Sequence, residues 1–127
     1  MKRVYSIGYQ GLSVQEFIRK LEGAGIGLVA DVRAVPLSRK PGFSKNVLAA
    51  HLKKAGIDYV HVASAGNPTH SLKAYATHLR KDRTGVDDLQ KVIAGRRRVA
   101  VLCFEADPAE CHRSLLLAGL PVAVIHL

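Results

Sequence analysis

The chain has 127 residues, 48% of them hydrophobic and 23% charged, which suits one domain with a buried core and leaves little length for a second. Its 19 Lys and Arg against 10 Asp and Glu give a formal net charge of +9, so the expected partners are anionic and any charge-driven binding should weaken with salt. No apolar run approaches the roughly 18 residues of a membrane span, and Lys2-Arg3 leads into an alternating pattern rather than a signal peptide; two cysteines do not make a disulfide framework, and the expectation is a cytoplasmic protein with no membrane partner.

Strands and helices alternate along the chain. Arg3 to Ile7 reads as a short strand ending at Gly8, and Ser13-Val14-Gln15-Glu16 has the capping-box form that starts a helix. The stripe Val14, Phe17, Ile18, Leu21 and Ala24 follows, with Gly25 as its stop. Gly27 to Val32 is nearly continuously apolar, as a strand covered on both faces should be, and Asp31 falls at its carboxyl end. Residues 33 to 43 hold Pro36, Pro41 and Gly42 and read as a loop. Ser44 then caps a helix to about Ala55, with Val47, Leu48, Leu52 and Ala55 inward and Gly56 at its end.

Asp58 to Val62 is a third strand, and Ala63 to Thr69 a loop. Leu72, Tyr75, Ala76 and Leu79 repeat at helical spacing, and a further helix after Thr84 carries Leu89, Val92 and Ile93 before Gly95. Arg96-Arg97-Arg98 reads as a solvated loop leading into the strand Arg98 to Cys103. Asp107-Pro108-Ala109-Glu110 combines an N-cap acid, proline at the first helical position and Glu at the third, so a helix should start there and run through Leu115 to Ala118. Gly119 and Pro121 stop it before a closing strand, Val122 to His126. The alternation predicts a single compact α/β domain spanning 1–127, three layers around a mostly parallel sheet of about five strands.

The chemistry concentrates where the strand ending at Cys103 gives way to the last helix, as Cys103-x-Glu105-x5-Cys111-His112-Arg113. Ligands of open α/β sheets bind outside the carboxyl ends of the strands, so this thiol, carboxylate, imidazole and guanidinium are candidates for a reactive site. Cys103 could attack, and Glu105 and His112 could move protons; Glu105 could equally anchor Arg113 in an ion pair. Arg33, Arg39 and Arg113 offer the paired donors that suit a planar anion, with Asp31 as an alternative partner for Arg33. Cys111 would lie in the first helical turn, where a thiol is acidified, or on an apolar stripe with Leu115 and Ala118, where it is inert. A disulfide between Cys103 and Cys111 requires Cα atoms within about 7 Å.

Other chemistries lack their patterns. There is no C-x2-C or H-x3-H spacing, and adjacent Cys111 and His112 should diverge around a helix, so no metal site is expected even with His61, His70 or His126 nearby. Ser38 and Ser44 lack a nucleophile-elbow context, and no G-x-G-x-x-G or P-loop is present, so no cofactor is expected.

Taken together, Ser6-Ile7-Gly8-Tyr9, Asp31-Val32-Arg33 with Pro36 and Ser38-Arg39, Phe43-Ser44, Tyr59-x-His61, Cys103-x-Glu105 and Cys111-His112-Arg113 resemble the family known as domain of unknown function 488. Ala65-Gly66-Asn67 departs from that family's Leu-Gly-Gly. The resemblance implies a compact α/β domain and adds Ser38, Tyr59 and His61 to the candidate binding residues, with no established reaction. The chain is remotely similar to the rhodanese-like fold through Asp31-Val32-Arg33 and Cys103. The following Phe104-Glu105-Ala106-Asp107-Pro108, however, has two acids and no glycine, unlike an anion-cradling loop.

Three readings follow. The first is an enzyme acting on a phosphorylated or nucleotide-like small molecule, held by Asp31, Arg33, Ser38, Arg39, Tyr59, His61 and Arg113 around Cys103, Glu105 and His112. The second is a non-catalytic nucleic-acid-binding module using the acid-free basic stretch of Arg33, Arg39, Lys40 and Lys45. The third is thiol redox or sulfur transfer through the two cysteines. The sequence leaves the oligomeric state open.

Overall fold

The computed structural model describes residues 2–69, 71–95 and 97–127, so His70 and Arg96 lie outside the described residues. Five strands form one parallel sheet: β1 (Lys2–Gly8), β2 (Leu28–Asp31), β3 (Asp58–His61), β4 (Val99–Cys103) and β5 (Val122–His126), in the order β3-β2-β4-β1-β5. The register sets Gly8 beside Cys103 and Asp31 beside both Leu102 and His61. Residues that end four different strands therefore share one end of the sheet.

Each strand sends alternate side chains to opposite faces. Along β4, Val99, Val101 and Cys103 face the layer made by α3 (Leu72–Lys81), α4 (Thr84–Ile93) and α5 (His112–Ala118). Ala100 and Leu102 face α1 (Val14–Gly23) and α2 (Lys45–Lys54), where Phe17, Leu21, Leu48 and Leu52 are fully buried. This is the three-layer α/β arrangement that the alternation predicts.

The local signals are realised closely at α1, where Ser13 and Glu16 exchange side chain to backbone hydrogen bonds of 3.0 and 3.1 Å. Gly25 and Gly56, the expected stops, take left-handed φ values of 69° and 76°. Ser44 is the N-cap of α2 by position, yet its hydroxyl makes no capping bond because it donates instead to the carbonyl of Ser38 at 3.1 Å. Val47 is exposed rather than inward, since Leu48 and Leu52 alone fill the face turned to the sheet. In the basic triplet, Arg97 pairs with Asp58 and Arg98 donates to the carbonyl of Ala24 at 3.0 Å, so these two brace the amino ends of the strands.

The last unit departs from expectation. Asp107-Pro108-Ala109-Glu110 closes a single 3-10 turn, with the Asp107 carboxylate accepting from the Ala109 N–H at 2.9 Å. The helix proper begins at His112, capped by Cys111 in an extended conformation (φ −116°, ψ 141°). The buried face of α5 carries Arg113, Leu116 and Leu117, whereas Ala118 is exposed. Spacing alone suggested Leu115 and Ala118; the helix instead turns Arg113, Leu116 and Leu117 inward.

Candidate functional site

Above the carboxyl ends of β1, β2 and β4 lies a cleft of about 460 Å³ lined by residues that include Tyr9, Arg33, Cys103, Phe104, Glu105 and His112. That volume is in the range of small-ligand pockets. The strand order explains the place: β1 and β2 lie on opposite sides of β4, so the connections leaving their ends run apart and leave a crevice. Val35, Leu37 and Phe104 expose apolar side chains near its rim.

Two hydrogen-bonded groups reach the cleft, one through Arg33 and one through Cys103 and Glu105. The first is centred on Asp31, which is fully buried. Its carboxylate accepts from Arg33 Nε at 2.9 Å and Nη2 at 2.7 Å, and from the Tyr59 hydroxyl at 2.5 Å. Arg33 Nη1 continues to the Phe43 carbonyl at 2.7 Å and the Tyr9 hydroxyl at 3.3 Å. His61 Nε2 donates to the Arg33 carbonyl at 2.8 Å. Burial works against charge on Arg33, but its hydrogen bonds and ion pair with Asp31 hold its pKa above the ordinary range. Burial, reinforced by the hydrogen bond to Asp31, likewise raises the Tyr59 phenol. Asp31, Arg33, Tyr59 and His61 thus meet, and their polar groups mainly satisfy one another.

The second group surrounds Cys103. Arg113, 1% exposed, donates from Nη1 to Cys103 Sγ at 3.1 Å and to the Glu105 carbonyl at 2.7 Å, and from Nε to the Ser6 hydroxyl at 2.6 Å. Glu105 does not pair its carboxylate with Arg113. The carboxylate instead lies 3.4 Å from Cys103 Sγ, within reach of its proton when the cysteine is reduced. Cys103 and Cys111 are joined as a disulfide in this structure, their Cα atoms 7.2 Å apart. Cys111 Sγ also accepts from the Arg113 N–H at 3.5 Å.

His112 joins the two groups. Its Nε2 donates to the carbonyl of Val32, between Asp31 and Arg33, at 2.7 Å. Its Nδ1 stands 3.8 Å from Cys111 Sγ. The expectation that Cys111 and His112 diverge around a helix fails here because Cys111 is the extended N-cap, and helical geometry does not govern its side chain. Desolvation pulls the His112 pKa below its ordinary value, only partly offset by the Val32 hydrogen bond. Burial also lowers the pKa of Arg113, opposed by the charges of Glu105 and Asp107. The guanidinium nonetheless stays protonated near neutral pH.

Of the candidates, Arg33, Cys103, Glu105 and His112 line the cleft; Asp31, Tyr59, His61 and Arg113 do not, and neither do Ser38 and Arg39. Arg39 is exposed, and Ser38 braces its own loop, its N–H donating to Ser44 Oγ at 3.0 Å and its hydroxyl accepting from Lys40 N–H at 3.1 Å. Sequence reasoning passes over Ser6, Gly8 and Tyr9 as site residues, although they stand together in one motif. Ser6 anchors Arg113 and Tyr9 lines the cleft, stacked on Phe43 with ring centroids 4.4 Å apart. A Cβ at Gly8 would collide with the Glu105 carbonyl, so glycine lets the loop after β4 lie against the end of β1.

Fold and site together define an open parallel α/β domain with a cysteine pair, Cys103 lining and Cys111 behind, at a cleft over its strand ends. The chain belongs to the DUF488 family, described as a domain of unknown function, whose model matches residues 13–120. No curated protein matches it. Among solved structures it is similar to a DUF442 protein from Shewanella putrefaciens CN-32, in crystals at 1.60 and 1.40 Å resolution. Both align at 17% identity with a TM-score of 0.46 over 88% of this chain, which spans 60% and 63% of the two longer chains. The rhodanese-like resemblance finds no support in these matches.

Proposed function

We propose that the chain carries out thiol–disulfide exchange through Cys103 and Cys111. The observation that carries this reading is the contact between the two sulfurs, with Cys103 lining the cleft and Cys111 behind it. Arg113 stabilises a thiolate at Cys103 by charge and by direct donation, and the Glu105 carboxylate is placed to receive the thiol proton. The exposed apolar rim suits a disulfide with apolar neighbours.

In the proposed reaction the Cys103 thiolate attacks one sulfur of a substrate disulfide, forming a mixed disulfide and expelling the first substrate thiolate. The Cys111 thiolate then attacks Cys103 Sγ and expels the second. Protein and substrate exchange two electrons, the substrate leaving as two thiols and the protein as a disulfide. Glu105 returns a proton to a departing thiolate.

The disposition of the arginines favours this reading over binding of a phosphorylated substrate. Both Arg33 and Arg113 direct their guanidinium groups into protein partners, and among the described residues no buried side-chain nitrogen or oxygen lacks one. Glu105 and Glu110 line the cleft and would repel an anion.

Mass spectrometry of the reduced chain mixed with a small aromatic disulfide tests the proposal. Wild type is expected to lose two hydrogens, and Cys111→Ser to accumulate an adduct on Cys103 that Cys103→Ser cannot form. Folded wild type with both thiols inert to an alkylating reagent would overturn it.

A further inference from the structure

We infer that the reduced protein binds a thiophilic d10 cation of the zinc class through Cys103 Sγ, Cys111 Sγ and His112 Nδ1. The inference rests on the two cysteines being available as reduced thiols, as in the exchange reading, but adds a bound ion and a third ligand.

The three ligand atoms lie within 4.8 Å of one another. Tetrahedral zinc, with Zn–S near 2.3 Å and Zn–N near 2.0 Å, sets its ligands about 3.5 to 3.8 Å apart. Cys111 Sγ and His112 Nδ1 are already 3.8 Å apart, so the main adjustment is separation of the two sulfurs. Cys111 sits on the N-cap turn rather than in the body of α5, so its side chain can move without disturbing the helix.

The tautomer of His112 supplies the independent observation. A carbonyl can only accept, so the 2.7 Å contact with Val32 places the proton on Nε2 and leaves Nδ1 with a free lone pair toward the thiols. A backbone carbonyl behind the distal nitrogen is the usual support of a metal-ligating histidine. Two thiolates and an imidazole are the donor set that zinc and copper(I) prefer over harder ions.

The surroundings balance the charge. Glu105, whose carboxylate is 3.4 Å from Cys103 Sγ, or a water from the cleft can take the fourth position. With Glu105 bound, two thiolates and one carboxylate offset a divalent ion together with the Arg113 guanidinium. A substrate disulfide that oxidises both thiolates takes up their two electrons, leaves as two thiolates that take protons from water, and releases the ion.

The test titrates Zn2+ into the reduced full chain against a chromophoric chelator, then records X-ray absorption of the zinc-loaded wild type. One ion per chain with two Zn–S distances near about 2.3 Å and one Zn–N near about 2.0 Å is expected. His112→Gln should weaken binding at least about tenfold, with circular dichroism confirming its fold. A zinc shell lacking nitrogen, or folded His112→Gln binding as tightly as wild type, would overturn the inference. So would wild type that binds no zinc while its thiols are alkylated and exchange with the disulfide, an outcome that leaves the exchange reading standing. Failure of zinc binding, alkylation and exchange together would remove both.

Discussion

Arg113 and Cys103, ten residues apart in sequence, meet with guanidinium Nη1 3.1 Å from Sγ while the same nitrogen holds the Glu105 carbonyl at 2.7 Å. One side chain therefore sets both the charge beside the sulfur and the path of the loop that follows it. A lysine could supply the charge but not the planar fork that also reaches Ser6. Arg113→Lys is expected to slow alkylation of reduced Cys103 at neutral pH by roughly tenfold, because the ammonium cannot hold both Sγ and the Glu105 carbonyl. It should also cost about 2 to 4 kcal/mol in urea unfolding, because buried acceptors lose their donor. Alkylation of the reduced variant under conditions where circular dichroism shows it folded separates the two effects.

Asp31→Asn tests the neighbouring group. It leaves the buried Arg33 guanidinium without its ion pair, and removal of one partner from such a pair costs about 3 to 5 kcal/mol. Adding Arg33→Met removes the uncompensated charge, so the double variant should regain part of that loss in urea unfolding. If the two changes were additive, direct coupling between these residues would be excluded.

His112 predicts an acid-side loss of stability. Its folded pKa lies below the ordinary value of 6.5, so the unfolded chain takes up the proton first. The favourable contribution is complete above about pH 6.5 and declines as pH falls through that value toward the folded pKa. Urea unfolding of metal-free protein should show this slope, and His112→Gln should flatten it.

Gly8→Ala places a methyl group against the Glu105 carbonyl and should displace the loop after β4. A cost of about 1 to 3 kcal/mol is expected, together with slower alkylation of Cys103 as Arg113 and Glu105 shift away from the sulfur. Thermal unfolding and alkylation kinetics on one preparation check both.

Much of the architecture can be read directly from the chain. Apolar periodicity, the Ser13–Glu16 capping box and the glycine stops are local signals, and they suffice for five strands, most helix positions and a parallel sheet. They also bring Asp31 and Cys103 to strand ends, where an α/β sheet binds ligands. The tertiary structure alone decided where the guanidiniums go. Arg113 reaches Ser6, 107 residues away, only because β1 lies beside β4, and Arg33 turns inward because Asp31, Tyr9 and Phe43 surround it. The meeting of Cys111 with His112 depended on a helix starting one turn late, after Pro108 and Asp107 had spent the capping signal on a 3-10 turn. Hydrophobic period is carried by neighbours in sequence, whereas the partner of a buried charge is chosen by whatever the folded sheet places beside it, and that choice turned Arg33 and Arg113 toward protein partners.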